Sequence, residues 1–536
     1  MFILKASEMG IMDRETIEGV GIPGVVLMEN AARGVVSVIE KRVPGRKAVV
    51  ICGRGNNGGD GLAVARNLIG HGYDVKIFLL SEPDSLKGDA KVNYDILRGM
   101  KVQVASVLRE IDLGDLFSEC EKADFVVDAI FGTGLSKPVE GFYASVIDLI
   151  NRSETPVISV DIPSGLFADT GNLPSGAFVK ASWTVTFAFP KIVHVMAPGC
   201  KYVGDVFVVD ISIPEKISER HNPGRCILTR DKVFDVFPER DINSHKYNYG
   251  FLAVVGGSCG KTGAPSMSAL AALRTGVGLV SAVVPRDLNL VFEVKLTEPM
   301  TVPIMSAERG HFNANSVDEV VTCLKNGKFS AVAIGPGLGW NRDTEVFVKE
   351  ILENVDLPFI IDADGLNALS RNVGILKDLK KTAILTPHGG EFSRLTGLSV
   401  SEIVSDPITH AVNFAREYGV VLVLKGGRTV VATPEGRAFI NVIGNPGMAT
   451  AGTGDVLTGI IGALVAMGVS AERAAAAGVF LHALAGNMAK EKFGEESLIA
   501  TDLIELLPEA VKVLKQPVEK RTEIPFVSSM REIIGV

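Results

Sequence analysis

The sequence predicts an α/β chain made of two successive doubly wound units, on three observations. Short runs rich in valine and isoleucine alternate with helix-compatible segments in both halves. Most of these runs are followed at once by glycine, asparagine or aspartate, at the edge where open parallel sheets bind ligands. The length, 536 residues, exceeds one ordinary domain and points to two large ones.

Composition narrows the function. Hydrophobic residues make up 47% of the chain and glycine is abundant, as buried α/β cores require. A net charge of −8 without a long basic run excludes a general nucleic-acid surface. The cysteines Cys52, Cys120, Cys200, Cys226, Cys259 and Cys323 form no CxxC pair, so neither a zinc site nor a disulfide framework is expected. The N-terminus carries no signal-peptide pattern, and the apolar stretch from Gly459 to Ala471 is too short to span a bilayer. The chain is therefore expected in the cytoplasm, acting on small molecules and not on membranes. The scarcity of glutamine hints weakly at a thermophile.

In the first half, Met9, Met12 and Ile17 and then the run from Val25 to Arg33 read as helices. Lys47 to Cys52 reads as a buried strand, the glycine loop from Gly53 to Gly61 follows, and a helix leads to a second strand, Val75 to Leu80. Residues 53–58 match G-x-G-x-x-G, with Glu82 after the second strand, so a dinucleotide-binding dehydrogenase competes as a reading. Asn56, Asn57 and Asp60 crowd the place where a pyrophosphate wants bare backbone, and suit a polar organic ligand or a cation better. Further strands end in Asp128, followed by Gly132-Thr133-Gly134, and in Asp161, followed by Ile162-Pro163-Ser164-Gly165. A single such aspartate is commonly a helix cap. Asp128, Ser164 and the carbonyl of Asn57 also offer hard oxygens for a cation. Strands from Ser182 to Phe187 and from Val206 to Asp210 complete the sheet.

Residues 216–245 are charged and irregular, with Asn222-Pro223-Gly224, and read as a linker. In the second half, Phe251 to Val255 precedes Gly256-Gly257-Ser258-Cys259-Gly260-Lys261-Thr262, whose spacing fails the P-loop pattern. Strands ending at Ile334, Ile361, Leu385 and Leu424 deliver Gly335 to Gly339, Asp362 to Asn367, Thr386 to Glu391, and Lys425 to Thr429. His388, between Pro387 and a glycine pair, reads as a substrate contact. Lys425 and Arg428 suit a phosphate by charge.

The stretch from Gly444 to Asp455 carries the most chemistry. A glycine-rich turn opening a helix aims free N–H groups and the positive end of the helix dipole at one spot, which suits a phosphate or a phosphoryl group in transfer. Asp455 beside that cradle serves as a base or a metal partner. A plain loop with Asp455 as helix cap is the simpler alternative.

The cradle with its aspartate resembles the anion hole and catalytic base of ribokinase-like enzymes. Leu27-Met28-Glu29-Asn30-Ala31, Asn56 to Gly61, Asp128 to Gly134 and Asp161 to Gly165 resemble the NAD(P)H-hydrate epimerase family over residues 1–215. That resemblance implies a Rossmann-like fold with a bound potassium ion. It implies substrate contacts from Asn56, Asn57, Gly58, Gly59, Asp60, Gly132, Thr133, Gly134, Leu135, Ser136, Lys137, Pro138 and Asp161. Potassium would be held by Asn57, Asp128 and Ser164. Ala32 stands where that family usually has glycine.

The second half resembles the ADP/ATP-dependent NAD(P)H-hydrate dehydratase family, which implies a ribokinase-like fold. Ala264, Gly337, His388 and Asp455 would touch the hydrated nucleotide. Lys425, Gly426, Gly427, Arg428, Thr429, Asn445, Gly452, Thr453 and Gly454 would bind the adenine nucleotide. The two families joined in this order resemble bifunctional NAD(P)H-hydrate repair enzymes. The expected organisation is an epimerase domain over 1–218, a dehydratase domain over 226–515 and a C-terminal tail over 516–536, each domain a three-layer α/β fold.

The catalytic residues expected are Asp455, as base, and Asp161, moving protons at the hydrated carbon. ADP, or ATP, with Mg²⁺ is the expected phosphoryl donor, and a homo-oligomer is expected. Two alternatives stand beside this: a ribokinase-like vitamin-precursor kinase, and a first half that only binds or senses nucleotides.

Overall fold

The computed structural model describes residues 1–307, 310–516 and 527–534. The chain divides into two compact units. The first is Met1–Arg225 joined by the C-terminal segment, and the second begins at Cys226 and runs through the helix Ala500–Lys515.

The first unit is built on an eight-stranded sheet. Its strands lie in the order Val527–Ser529, Asp205–Val209, Trp183–Phe187, Val157–Val160, Phe125–Ala129, Lys47–Cys52, Asp74–Leu79 and Val104–Ser106. All pair in parallel except Val527–Ser529. Val49, Val50, Ile51, Val126 and Val127 are fully or almost fully buried, as strands covered on both faces must be. Met28, Val35, Ile39, Leu62 and Leu68 pack with one face of the sheet, and Leu116, Val146 and Ile150 with the other. The chain starts in mid-sheet, runs out to Val104–Ser106, then returns to the other side at Phe125–Ala129. Strand order therefore reverses between Lys47–Cys52 and Phe125–Ala129, and a crevice opens at their C-terminal ends. Gly53 closes the floor of that crevice. Its N–H donates to the Ala129 carbonyl at 3.0 Å, and a Cβ there would stand 2.1 Å from the Ile130 carbonyl oxygen.

Two expectations need correction. The segment 216–245 is no unstructured linker: it contains the helix Glu215–Arg220 and the strand Arg225–Ile227, which edges the second unit's sheet. Nor is 516–536 wholly a tail. Val527–Ser529 pairs antiparallel with Asp205–Val209, and the helix Met530–Ile534 follows. Pairing covers a strand that would otherwise expose an open edge. Residues 517–526 and 535–536 of that expected tail lie outside the described residues.

The second unit has a ten-stranded sheet. The order is Met300–Ile304, Leu279–Pro285, Phe251–Val255, Ala331–Ile334, Phe359–Ile361, Ile384–Leu385, Val421–Leu424, Thr429–Ala432, Ala438–Asn441 and Arg225–Ile227. The first seven are parallel, and the next two form an antiparallel hairpin that the sequence reading missed. Order again reverses beside the first central strand, between Phe251–Val255 and Ala331–Ile334. Glycine again permits the closure: a Cβ on Gly256 would stand 2.2 Å from the Pro336 carbonyl oxygen. The helix Thr453–Ala466 is buried from Val456 onward and packs on the helix Gly263–Thr275. A Cβ on Gly459 would sit 2.1 Å from the Ser268 carbonyl oxygen, and Ser268 Oγ donates to the Asp455 carbonyl at 2.8 Å. Close packing thus fixes the first turn that carries Asp455.

Candidate active sites

In the first unit a cavity of about 760 Å³ opens where strand order reverses. Asn56, Asn57, Asp60, Gly132, Thr133, Gly134, Leu135, Ser136, Lys137 and Asp161 line it, all singled out in the sequence. Gly58, Gly59 and Pro138 are not in the lining. A Cβ on Gly58 would lie 1.8 Å from the Gly53 carbonyl oxygen, and one on Gly59 2.9 Å from the Ala90 Cα and the Met28 Cε, so these glycines serve close packing.

Asp161 sits at the end of its strand with φ 63°, in the left-handed region. Its Oδ1 accepts from Lys191 Nζ at 2.7 Å and from Thr186 Oγ1 at 2.9 Å. Burial works to raise its pKa, but the Lys191 charge and these hydrogen bonds outweigh it and hold the carboxyl below its ordinary value. Lys191 is itself almost wholly buried, its Nζ also donating to Thr186 Oγ1 and the Phe187 carbonyl. Behind them, His194 Nδ1 accepts from the Lys191 N–H at 2.9 Å. Burial, then Lys191, depresses the His194 pKa to about 3, so the ring is neutral. Its one proton is on Nε2, which donates to the Asp161 carbonyl at 3.0 Å. Asp13, Lys191, Phe187 and Met9 also line the cavity and were not marked as site residues by sequence reasoning. They come from the first helix, from the end of the strand Trp183–Phe187 and from the loop after it, with no motif to flag them.

Asp128 is fully buried and accepts from Ser159 Oγ, from Ser164 N–H and Oγ, and from the Ile130 N–H. Burial raises its pKa in spite of these donors. Asn57 is nine-tenths buried, with its Nδ2 unpartnered. Among the described residues no three His, Cys, Asp or Glu side chains group as for a metal ion. Of the three residues expected to hold potassium, Asp128 and Ser164 are joined to each other by hydrogen bonds from the Ser164 N–H and hydroxyl. A cation there would favour the charged form of Asp128 that burial disfavours.

In the second unit the organising loop closes as a cradle. Gly452, at φ 93°, caps the helix Thr453–Ala466, and a Cβ there would meet Met267 Cε at 2.5 Å. Thr453 Oγ1 donates back to the carbonyls of Met448 and Thr450, and half-buried His482, its pKa lowered to about 4 by desolvation, donates Nε2–H to the Thr453 carbonyl. Asn445 Nδ2 pins the loop start to the Gly486 carbonyl at 2.9 Å.

Asp455 lies in the first turn. Burial, then the neighbouring Asp362 charge, pushes its pKa up to about 7, against the pull of Lys425. Lys425 Nζ donates to Asp362 Oδ1 at 2.8 Å and lies 3.9 Å from Glu391 Oε2. A Cβ on Gly454 would stand 3.3 Å from the same ammonium, so Lys425 lies against the cradle. Gly426 and Gly427 follow it in the turn before Thr429. Arg428, expected to meet phosphate by charge, donates to the Val442 carbonyl.

His388 caps the helix Gly389–Thr396, its Nδ1 accepting from the N–H groups of Gly390 and Glu391. The ring is half-exposed, and its Nε2 lies 3.6 Å from Glu391 Oε1. Gly337 packs against Ala264, a Cβ there falling 3.3 Å from Ala264 Cβ. Asp364 also escaped emphasis in the sequence: Lys261 Nζ and the Gly339 N–H both reach its Oδ2 at 2.9 Å.

The two folds and their polar strand ends define an enzyme with two small-molecule sites, one built around the ion-paired buried Asp161 and one around the glycine-rich turn that carries Asp455. Comparison with known proteins agrees. Residues 24–193 match the family described as YjeF-related protein N-terminus, and residues 252–509 match NAD(P)H-hydrate dehydratase. The bifunctional NAD(P)H-hydrate repair enzyme of Moorella thermoacetica is 42% identical over 97% of this chain and 98% of its own length. That of Thermofilum pendens is 40% identical, over 98% of each. The crystal structure of ADP/ATP-dependent NAD(P)H-hydrate dehydratase from Bacillus subtilis, co-crystallised with ATP and Mg²⁺, is 29% identical with TM-score 0.47, over 54% of this chain and 98% of its own. The chain belongs to the family of bifunctional NAD(P)H-hydrate repair enzymes. Among the described residues no helix is long and apolar enough to cross a membrane.

Proposed function

We propose that this chain restores hydrated NADH and NADPH. The first unit interconverts the R and S hydrates, and the second removes water from the S hydrate with ADP as phosphoryl donor, ATP being the alternative. The observation that carries the reading is Asp455, its pKa near 7, in the first turn of a helix opened by a glycine cradle with Lys425 against it.

Hydroxide is a poor leaving group. Asp455 takes the proton of the substrate hydroxyl as that oxygen attacks the terminal phosphate. N–H groups of Gly452, Thr453 and Gly454 face the charge that builds on the transferring group, and Lys425 adds a fixed cation. Mg²⁺ bound with the nucleotide would offset its phosphate charge. Phosphate then departs with the carbon–oxygen pair, the neighbouring ring carbon loses a proton to phosphate or water, and its C–H pair becomes the ring double bond. In the first unit Asp161, kept ionised by Lys191, moves protons at the hydrated carbon. Potassium held by Asn57, Asp128 and Ser164 would supply a fixed positive charge beside the cavity.

The test is to incubate hydrated NADH with ADP or ATP and follow the return of reduced-nicotinamide absorbance. Recovery that requires the nucleotide supports the reading. Phosphorylation of a vitamin precursor without any such recovery overturns it.

A further inference from the structure

The first unit's cavity holds a carboxyl that the account so far leaves unused. Asp13, on the helix Ala6–Arg14, lines the same wall as Asp161, yet the two stand in opposite circumstances. Asp161 Oδ1 takes two donors, one of them a buried ammonium. Asp13 Oδ1 is buried and accepts no hydrogen bond. An ionised carboxylate does not leave a buried oxygen unpaired without a large desolvation cost, whereas a neutral carboxyl tolerates it. Burial, partly offset by Lys191 and reinforced by the Asp161 charge, places the Asp13 pKa at about 6, while Asp161 lies below its ordinary value. Two carboxyls pushed apart in this way by their surroundings are the pattern of an acid and a base. Asn57, nine-tenths buried on the same wall, has an Nδ2 donor with no hydrogen-bond partner.

We propose that Asp13 is the general acid of epimerisation and Asp161 its general base, acting on opposite ends of one bond. This rests on the epimerase reading of the first unit. The hydrated carbon carries a hydroxyl and the ring nitrogen, so it inverts by ring opening. Asp161 removes the hydroxyl proton, and the O–H electron pair becomes a carbonyl π bond. The carbon–nitrogen bond breaks with its pair going to nitrogen, which takes the proton of Asp13. Rotation presents the other carbonyl face. Closure by nitrogen returns one proton to Asp13 and one from Asp161 to oxygen, leaving both carboxyls as they began. The charged groups around Asp13 are Lys191, Asp161 and Asp60, with Arg54 and Lys137 also on the cavity wall.

The experiment uses the full-length chain and a purified single epimer of hydrated NADH without nucleotide, with equilibration followed by chromatography and the spontaneous rate subtracted. Wild-type kcat/KM is expected to fall above about pH 6 as Asp13 ionises, approaching tenfold per pH unit. Asp13→Asn is expected to lower it roughly 10²–10⁴-fold and to abolish that alkaline limb, while Asp13→Glu keeps a limb. Because dehydration reports the second unit alone, a thermal unfolding profile matching wild type shows that the variant's first unit is folded. Should Asp13→Asn not fold, the wild-type profile decides, and a rate that stays level from about pH 6 to pH 8 overturns the proposal. So does an Asp13→Asn chain with more than about a tenth of the wild-type rate and the same limb. A wild-type chain that never equilibrates the epimers overturns the epimerase reading itself.

Discussion

Lys425 and Asp362 meet at 2.8 Å, and the other oxygen of Asp362 takes the Thr458 hydroxyl at 2.6 Å. Two strand ends and the helix that carries Asp455 are tied together by this contact. The same pair sets the charge on Asp455 from both sides, since Asp362 raises its pKa and Lys425 lowers it.

A pH dependence follows. Asp455 must be ionised to act as base, so dehydration kcat/KM should climb with pH and level off above about 7. Lys425→Met removes the cation that lowers the pKa, and should move the limb to higher pH as well as weaken nucleotide binding. A wild-type rate independent of pH from about 5 to 8 would exclude Asp455 as the titrating base.

Asp455→Asn keeps the shape but cannot take a proton. Dehydration should drop by roughly 10²–10⁴-fold with nucleotide binding, measured by calorimetry, nearly unchanged. Stability should move the other way. A carboxyl whose folded pKa is raised loses stability as pH climbs from its unfolded value, about 4, to its folded one near 7. The variant's melting temperature should therefore gain on wild type across that window and hold the gain above it. The expected scale is about 2–4 °C per kcal/mol.

Asp128 and Asp161, at strand ends, and Asn57, in the glycine loop after one, were legible because glycine and polar residues directly after an apolar run mark the ligand edge of a parallel sheet. Asp455 was legible from the glycine-rich turn that opens its helix. Lys191, His194 and Asp13 were not. Lys191 and His194 meet Asp161 across sequence separations of 30 and 33 residues, and nothing local marks a lysine that burial and an ion pair will define. Val527–Ser529 was missed for a similar reason, since a three-residue strand takes its meaning from the open edge of Asp205–Val209. His388, which Pro387 and the glycine pair marked in the sequence, also caps a helix, a contact that no local pattern announced.

Lys191→Met tests the buried ion pair. Removing the ammonium leaves Asp161 buried without a countercharge, a change that typically costs about 3–5 kcal/mol. The Asp161 pKa should rise, so the acid limb of epimerisation shifts to higher pH while dehydration of the S hydrate persists. An unshifted limb would mean that Lys191 does not hold Asp161 ionised.

Asp128→Ala should remove the potassium dependence of epimerisation and spare dehydration. It also orphans donors from Ser159, Ser164 and Ile130, at about 1–3 kcal/mol for each buried group left unpaired. A lower melting temperature should therefore accompany it. Equal potassium dependence in variant and wild type, or none in either, removes the cation from the account.

The central claim, that one unit feeds the other, is tested most directly by time courses of Asp161→Ala on a mixture of both hydrates with ADP. In-line phosphoryl transfer to a positioned hydroxyl accepts one epimer only. The variant should recover reduced nucleotide in a fast partial phase, then slowly, at the rate of spontaneous epimerisation. Full-length Asp455→Asn, whose first unit is intact, should restore complete conversion when added. It is the right partner because an isolated 1–218 segment would lack the strand Val527–Ser529. An Asp161→Ala chain that converts the whole mixture as fast as wild type would contradict the account.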